Sequence, residues 1–217
     1  MTALLDVLSR VADLGGPVIL ILLAASVYVL ALAAYKILQF QKAGVGRHLA
    51  LRQAVAAWDA GDRTLAVDHL ARSKSYLAPL VEKALSATRE HTDRLESEAE
   101  AEFAKLEKGL RTLDNISQLA PLLGLFGTVL GMIEAFQALQ QAGTQVDPSI
   151  LAGGIWVALL TTAAGLAVAM PTSIIHAWLE GRMDAERGIA DQAIQTILCP
   201  SQPRTTVADL SGQTVHA

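Results

Sequence analysis

The chain has 217 residues, 52% of them hydrophobic and 18% charged, with a mean hydropathy of +0.38. This composition excludes an ordinary soluble domain and predicts a membrane protein with a modest soluble part. The formal net charge is -4 and the sequence contains no Lys/Arg-rich run, which argues against a nucleic-acid partner.

The first predicted element is a short interfacial amphipathic helix over residues 1–16, with leucines on one side and charged residues on the other, ending at Gly15 and Gly16. A first transmembrane helix is predicted over residues 17–38. Its apolar run is longer than the roughly 7–15 residues of a signal-peptide core, so we expect it to be retained. Lys36, at its far end, is expected to snorkel to the lipid headgroups.

Residues 39–114 are predicted to form a soluble helical region, because they combine interspersed charges with many good helix formers. Breaks at Gly44–Gly46, at Gly61-Asp62 and before Pro79 divide this region into a short linker, two modest helices and one long helix. No stop signal separates the long helix from the next apolar segment. The two are therefore expected to be continuous.

A second transmembrane helix is predicted over residues 115–139, which contain one carboxylate and are long enough to cross a hydrocarbon core of roughly 30 Å. Small residues recur along it at helical spacing and predict a face that another helix can approach closely. This strip consists of Ala120, Gly124, Gly127 and Gly131. Pro121 lacks a backbone N–H and is expected to kink the helix.

A third transmembrane helix is predicted over residues 150–179, after a polar turn over residues 140–149. A second strip of small residues runs along this helix, and two such strips are expected to face each other or a common neighbour. Its members are Gly154, Ala158, Thr161, Gly165 and Ala169. Pro171 is expected to kink the helix near its end. A helical extension over residues 180–199 and a disordered tail over residues 200–217 complete the chain.

The predicted fold is therefore all-α, with three transmembrane helices of which the second and third extend into a cytoplasmic helical bundle. Basic residues flank one end of each span, whereas the 140–149 turn has none. The positive-inside rule then places the N-terminus outside and the C-terminus in the cytoplasm. The flanking basic residues are Lys36, Lys42, Arg47, Arg52, Lys105, Lys108, Arg111, Arg182 and Arg187.

Polar groups inside a span are costly, so each of them is a candidate for a partner or a water path. The candidate pore-lining residues are Thr128, Thr161, Thr162 and Glu134. Each threonine can instead bond a carbonyl of its own helix, and Glu134 can equally be an acid that reaches the outer interface. His176 fits an interfacial ring, with a ligand or proton-relay role as the alternative.

The sequence shows no metal-ligand spacing, nucleophile arrangement or phosphate-binding loop. It therefore predicts no enzyme activity, no cofactor and no metal. The single cysteine, Cys199, cannot form a disulfide within the chain and is interpreted as an inert thiol.

Two apolar stretches carry a family resemblance: LAPLLGLFGTVLGMIEAF in the second span and GGIWVALLTTAAGLAVAMP in the third. They resemble the signature of the MotA/TolQ/ExbB proton-channel family, and most closely its ExbB/TolQ branch. The order of the spans and the long region after the first helix agree with this resemblance, which covers nearly the whole chain.

The resemblance implies a homopentameric ring in the bacterial inner membrane, with the N-terminus in the periplasm. It implies that the ring encloses the single membrane helices of an ExbD/TolR-like partner, whose aspartate carries the proton. Motion driven by proton flow would be passed to a TonB- or TolA-like protein, in outer-membrane import or Tol-type envelope maintenance. Thr128 and Thr162 fall on the family's pore-lining threonines.

Val157 departs from the family pattern, because many ExbB and TolQ proteins have glutamate at this position. We consider three explanations in order: the partner aspartate and threonine-held water suffice, Glu134 supplies the acid from the other helix, or the protein conducts protons poorly.

Three other functions are weighed against a proton-driven motor subunit. A structural membrane scaffold of the same fold is favoured by Val157. A MotA-like flagellar stator ring is disfavoured, since that branch typically has four spans and a larger cytoplasmic insertion. An unrelated membrane enzyme is disfavoured because the sequence lacks a catalytic cluster.

Overall fold

The computed structural model describes residues 2–141 and 148–201, and for residues 2–15 and 150 it describes the backbone alone. Within these ranges the chain forms seven α-helices and one 3-10 turn, Arg89–His91, and contains no strand. The helices are α1 (Thr2–Ala43), α2 (Leu49–Asp59), α3 (Arg63–Ala71), α4 (Ala78–Ser86), α5 (Thr92–Glu107), α6 (Leu110–Gln141) and α7 (Pro148–Leu198). The predicted all-α class is confirmed.

Among the described residues, three helices are long and apolar enough to cross a membrane, as predicted. They contain the segments Gly16–Ala43 of α1, Leu110–Gln141 of α6 and Leu151–Leu198 of α7. At 1.5 Å per residue, the 51 residues of α7 extend about 75 Å, well beyond a hydrocarbon core of roughly 30 Å. Only the uncharged first part of α7 therefore fits within the bilayer, and the charged part from Glu180 onwards lies outside its core.

The chain divides into two compact units. The first unit comprises residues 1–37 and 109–180, and the second comprises residues 38–108 and 181–217. The first unit contains the apolar parts of α1, α6 and α7. In it, the side chains of Val18 and Leu22 from α1 pack with Ala120 of α6 and Ala169 of α7 to form an apolar cluster.

The second unit contains α2 to α5 and the last part of α7. Its core is built from large apolar side chains that water does not reach: Leu51, Trp58, Leu80, Val81, Leu95, Phe103, Ile194 and Ile197. The Trp58 indole N–H donates a hydrogen bond of 3.1 Å to the Ile197 carbonyl, which ties α2 to the end of α7. Asp62 begins α3 by accepting a hydrogen bond of 3.0 Å from the Leu65 backbone N–H.

The predicted breaks at Gly44–Gly46 and at Gly61-Asp62 are present in the second unit. Gly44 has a left-handed φ of 75°, and a Cβ added there would lie 2.6 Å from the Lys74 carbonyl oxygen. Both the backbone conformation and the space at this turn therefore require glycine.

The predicted long helix between Pro79 and the second span is wrong, because the chain leaves the helix twice. It first becomes extended at Ala87 and Thr88, where the Thr88 side chain caps the following turn in a capping box. It leaves the helix again between α5 and α6, where Gly109 has a left-handed φ of 99°. Both stop signals, the capping Thr88 and Gly109, are present in the sequence.

Two expectations for the first helix are also wrong. The helix does not end at Gly15 and Gly16, since α1 runs unbroken from Thr2 to Ala43, although Gly16 has a left-handed φ of 63°. Lys36 does not snorkel to a surface. Its side chain is 1% exposed, and its Cε lies beside Gly109.

Residues 142–147 of the predicted turn and 202–217 of the predicted tail lie outside the described residues. Pro121 and Pro171 both lie inside helices that continue past them.

Candidate functional site

The structure brings the two small-residue strips together within the first unit. On α6, the residues Ala120, Gly124, Gly127, Gly131 and Ala135 are buried. On α7, the buried residues facing them are Ala158, Thr161, Gly165 and Ala169, with Gly154 half-buried. Their contacts run in opposite directions along the two helices, so α6 and α7 pack antiparallel, with almost no side-chain volume between the backbones.

The closeness of this packing is set by backbone atoms. A Cβ added to Gly124 would lie 2.8 Å from the Thr161 carbonyl oxygen, and one added to Gly165 would lie 2.6 Å from the Ala120 carbonyl oxygen. A Cβ added to Gly154 would overlap the Cβ of Ala135. Any side chain at these glycines would therefore push the two helices apart.

The three candidate threonines take different positions on α6 and α7. Thr161 is 1% exposed, against Gly127, and its hydroxyl donates to the Ala158 carbonyl of its own helix at 2.7 Å. The Thr128 hydroxyl likewise donates to the Leu125 carbonyl of its own helix at 2.6 Å. Both hydroxyls therefore have their hydrogen-bond partners within their own helices, which is the alternative considered for these threonines in the sequence analysis.

Thr162 differs from the other two threonines. Its hydroxyl donates across the interface to the Gly124 carbonyl on α6, at 3.4 Å, and its side chain is only half-buried. Of the candidate threonines, it is the one whose hydroxyl links the two helices.

Glu134 and Val157, the two positions considered for an acid of this chain, lie away from the candidate threonines. Glu134 is exposed, and Val157 is half-buried. Because Gly131 packs on Ala158, Glu134 lies within about one helical turn of the level of Val157, and roughly 10 Å along the axis from the level of Thr161. Along the helix axis, Glu134 is therefore nearer to Val157 than to Thr161.

The outward faces of α6 and α7 are apolar. Large exposed side chains include Leu122, Leu125, Phe126, Val129, Phe136, Trp156, Leu159, Met170 and Ile174. Such a surface is suited to lipid or to neighbouring membrane helices rather than water. His176 lies farther along α7, with its Nδ1 4.0 Å from a carboxylate oxygen of Glu180.

The sequence matches the MotA/TolQ/ExbB proton channel family over residues 69–192, more than half of the chain. The chain belongs to this family. The match includes all of α6 and most of α7, the two helices of the glycine interface, whereas α1 lies before it.

Individual members of the MotA/TolQ/ExbB family that resemble this chain carry ExbB names. The chain is 41% identical over 83 residues to the biopolymer transport protein exbB1 of Vibrio cholerae, covering 36% of each protein. It is 33% identical over 125 residues to the biopolymer transport protein ExbB of Salmonella typhimurium, covering 57% of this chain and 51% of that protein. A 94-residue match of 43% identity to an ExbB homolog of Methanothermobacter thermautotrophicus covers 43% of this chain and 33% of that protein.

These relatives confirm the ExbB-like branch of the family that the two motifs indicated. The matched region spans between a third and about half of the relatives' own lengths. The chain is accordingly a multi-pass membrane protein of the MotA/TolQ/ExbB proton channel family.

The structure also assembles one polar cluster to which the sequence analysis assigns no role. His48 and Glu186 are 138 residues apart in the sequence, and their side chains meet at 2.6 Å in the core of the second unit. Only tertiary structure brings them together, so spacing along the chain carried no signal.

Proposed function

We propose that this protein is the ring-forming subunit of a proton-driven motor in the bacterial inner membrane. The ring would be a homopentamer that encloses single-span partners of the ExbD/TolR type. Proton flow would move the partner relative to the ring, and a TonB- or TolA-like protein would carry the work to the outer membrane. The support is membership of a proton-channel family, combined with resemblance to proteins named for biopolymer transport.

The observation that carries the proposal is the close α6–α7 packing with Thr162 bridging it. Glycine packing lets two helices form a narrow, rigid wall, which a rotating or sliding partner needs as a fixed surface. The hydroxyl of Thr162 provides a polar group on that wall without a fixed charge, and so can hold water without trapping a proton. The partner's intramembrane carboxylate would supply the titrating group.

The proposed topology places the N-terminus in the periplasm and the second unit in the cytoplasm. It rests on the basic residues near the span ends, such as Lys42 in the last turn of α1, Lys108 before α6 and Arg182 on α7. Fusions of a reporter active only in the periplasm, placed at each end of the chain, would test this orientation.

The central test is Thr162→Val in the complex with its partner. We expect proton uptake by proteoliposomes, and energised transport in cells, to be lost while the complex still assembles, because valine keeps the shape and removes the hydroxyl. Thr172→Val is the matched control, since the Thr172 hydroxyl donates to the Val168 carbonyl of its own helix at 2.6 Å. Normal proton uptake by Thr162→Val would refute the hydroxyl-lined path.

A non-conducting scaffold is the second candidate, and two observations favour it. The family resemblance places a glutamate where this chain has Val157, and the hydroxyls of Thr128 and Thr161 are occupied within their own helices. A complex that assembles normally but takes up no protons, in its unmodified form, would support the scaffold. Glu134→Gln separates the remaining alternatives: a small effect leaves the partner as proton carrier, and complete loss assigns the missing acid to α6.

The neighbouring reading frame offers a rapid check. A short protein with one span containing an aspartate, encoded beside this chain, would favour the motor. Its absence would favour the scaffold.

A further inference from the structure

A buried polar cluster joins three segments of the second unit. His48 lies in the turn that precedes α2, Ser75 and Tyr76 lie in the turn between α3 and α4, and Glu186 lies on α7. The side chains of His48, Ser75 and Glu186 are 4%, 5% and 2% exposed, respectively, so water does not shield the charges in this cluster. We refer to these four residues as the buried cluster.

The hydrogen bonds of the buried cluster form a chain. Nε2 of His48 lies 2.6 Å from Oε1 of Glu186, and that same oxygen accepts the Gly46 backbone N–H at 2.8 Å. On its other side, Nδ1 of His48 lies 3.1 Å from the Ser75 hydroxyl, which accepts the Leu77 backbone N–H at 3.2 Å. Each turn is therefore attached to the cluster through its own backbone.

The chain accommodates two protonation states without moving heavy atoms. With a proton on both ring nitrogens, His48 donates to Glu186 and to the Ser75 oxygen. With Nδ1 unprotonated, the Ser75 hydroxyl rotates and donates to the ring instead. The serine hydroxyl can thus follow the charge of the imidazole.

The charge of the buried cluster favours retention of one proton by the His48–Glu186 pair. An ionised Glu186 with a neutral His48 would leave a net negative charge in a dry site, which is costly. Burial alone raises the pKa of Glu186, but hydrogen bonds from His48 and the Gly46 N–H outweigh burial, and the pKa lies below its ordinary value. The carboxylate form, balanced by a protonated imidazole, is the arrangement that these contacts support.

Two polar atoms beside the pair have no direct hydrogen-bond partner within the part of the chain that the structure describes. They are the hydroxyl of Tyr76 and Oε2 of Glu186. Burial, and then the neighbouring Glu186 carboxylate, raises the pKa of Tyr76. The phenol therefore stays protonated; its hydroxyl favours the ionised form of Glu186 but supplies no positive charge, which leaves that role to His48.

The other charged groups around the buried cluster do not replace this compensation. They are Arg47 and Lys74 in the two turns, Glu102 on α5, and Arg182 and Arg187 on α7. Arg187 is already paired with Glu100 at 3.0 Å and with Glu107 at 2.7 Å. Arg47, Lys74 and Arg182 are exposed, so solvent weakens their interaction with the buried carboxylate, although the guanidinium of Arg182 lies beside Gly46.

We propose that the buried cluster is a binding site for a single proton, and that this proton fastens the two turns around Gly46 and Leu77 to α7. When the proton leaves, the uncompensated carboxylate draws in water and the turns open locally. The inference rests on contacts within the second unit alone and does not depend on proton conduction through the membrane.

The test is hydrogen exchange, measured by mass spectrometry on the full chain in detergent micelles between pH 6 and 9. The relevant peptides contain the amides of Gly46 and Leu77, which donate into the buried cluster. If the closed state holds one proton more than the open state, the opening constant rises up to tenfold per pH unit. This slope begins above about pH 6.5, where an exposed imidazole has lost its proton.

His48→Gln removes the titrating ring and retains a donor for Glu186, so we expect the pH slope of protection to vanish. His69→Gln is the matched control, because His69 lies in α3 of the same unit, outside the cluster, and should leave the slope unchanged. Glu186→Gln should also abolish the slope, since no carboxylate then holds the proton.

Hydrogen exchange in the unmodified protein tests the proposal even if a variant fails to fold. Protection of both peptides that is independent of pH, after correction for chemical exchange, would overturn the proposal. A slope that persists in His48→Gln would assign the proton to another group and would overturn it equally.

Discussion

Replacing Gly165 by alanine tests the α6–α7 interface with a single added carbon. That carbon would lie 2.6 Å from the Ala120 carbonyl oxygen and 3.1 Å from the Gly124 Cα. Both are backbone atoms and cannot rotate away, so the helices must separate. Overpacking of this kind costs about 1–3 kcal/mol. Alanine also has the higher helix propensity, by up to about 1 kcal/mol, which partly offsets the loss.

Gly153→Ala is the matched control, because Gly153 lies in the same helix and a Cβ there would meet nothing within 4 Å. Both variants gain the same helix propensity, so the difference between them isolates the overpacking term of about 1–3 kcal/mol. For a chain of this size, about 1 kcal/mol shifts Tm by roughly 2–4 °C. We therefore expect Gly165→Ala to unfold roughly 2–12 °C below Gly153→Ala in detergent, as followed by circular dichroism. Equal melting temperatures would refute the close packing.

Three further predictions concern the second unit. Trp58→Phe leaves the Ile197 carbonyl without its donor and should cost about 1–3 kcal/mol in denaturant unfolding; an unchanged midpoint would contradict the hydrogen bond. Gly44→Ala should destabilise far more than Gly61→Ala, since both have a left-handed φ but only Gly44 has a carbonyl facing the added carbon. The pKa of Glu186 is lower in the folded protein than its ordinary value of about 4.3. Glu186 therefore stabilises the fold fully above about pH 4.3, and this stabilisation is lost as the pH falls further. In Glu186→Gln, the free energy of unfolding should depend less on pH in this acid range.

The membrane part of the fold was largely predictable from the sequence. Uncharged runs of sufficient length give the three spans, and the spacing of Gly124, Gly131, Gly154 and Gly165 gives the faces that meet. Both signals are local and periodic, so they can be interpreted without knowing any tertiary contact.

The second unit was predicted less well, because its determinants are long-range or locally ambiguous. A lone glycine such as Gly109 is commonly tolerated inside a helix, and only its φ of 99° shows that it separates α5 from α6. Lys36 packs beside that same glycine, which is far from it in the sequence. The contact between His48 and Glu186 joins residues far apart in the chain, and no pattern of either segment alone implies it.

Within the candidate site, residue types were easier to predict than the hydrogen-bond partners of their side chains. The threonines were identifiable as polar groups in apolar helices, but their hydrogen bonds depend on which rotamer the neighbouring helix permits. Only the structure distinguishes Thr162, which reaches across to Gly124, from Thr161, which bonds its own helix.

The absence of side chains between α6 and α7 also restricts how this protein can evolve. Every substitution of a glycine adds atoms, and at Gly124 and Gly165 the opposing atoms belong to main chain, which no mutation elsewhere can remove. A compensating change would have to shift an entire helix. Amino-acid substitutions at Gly124 and Gly165 should therefore be very rare. Gly153, Gly181 and Gly188 lie in α7 with open space around them, so these positions can accept other residues.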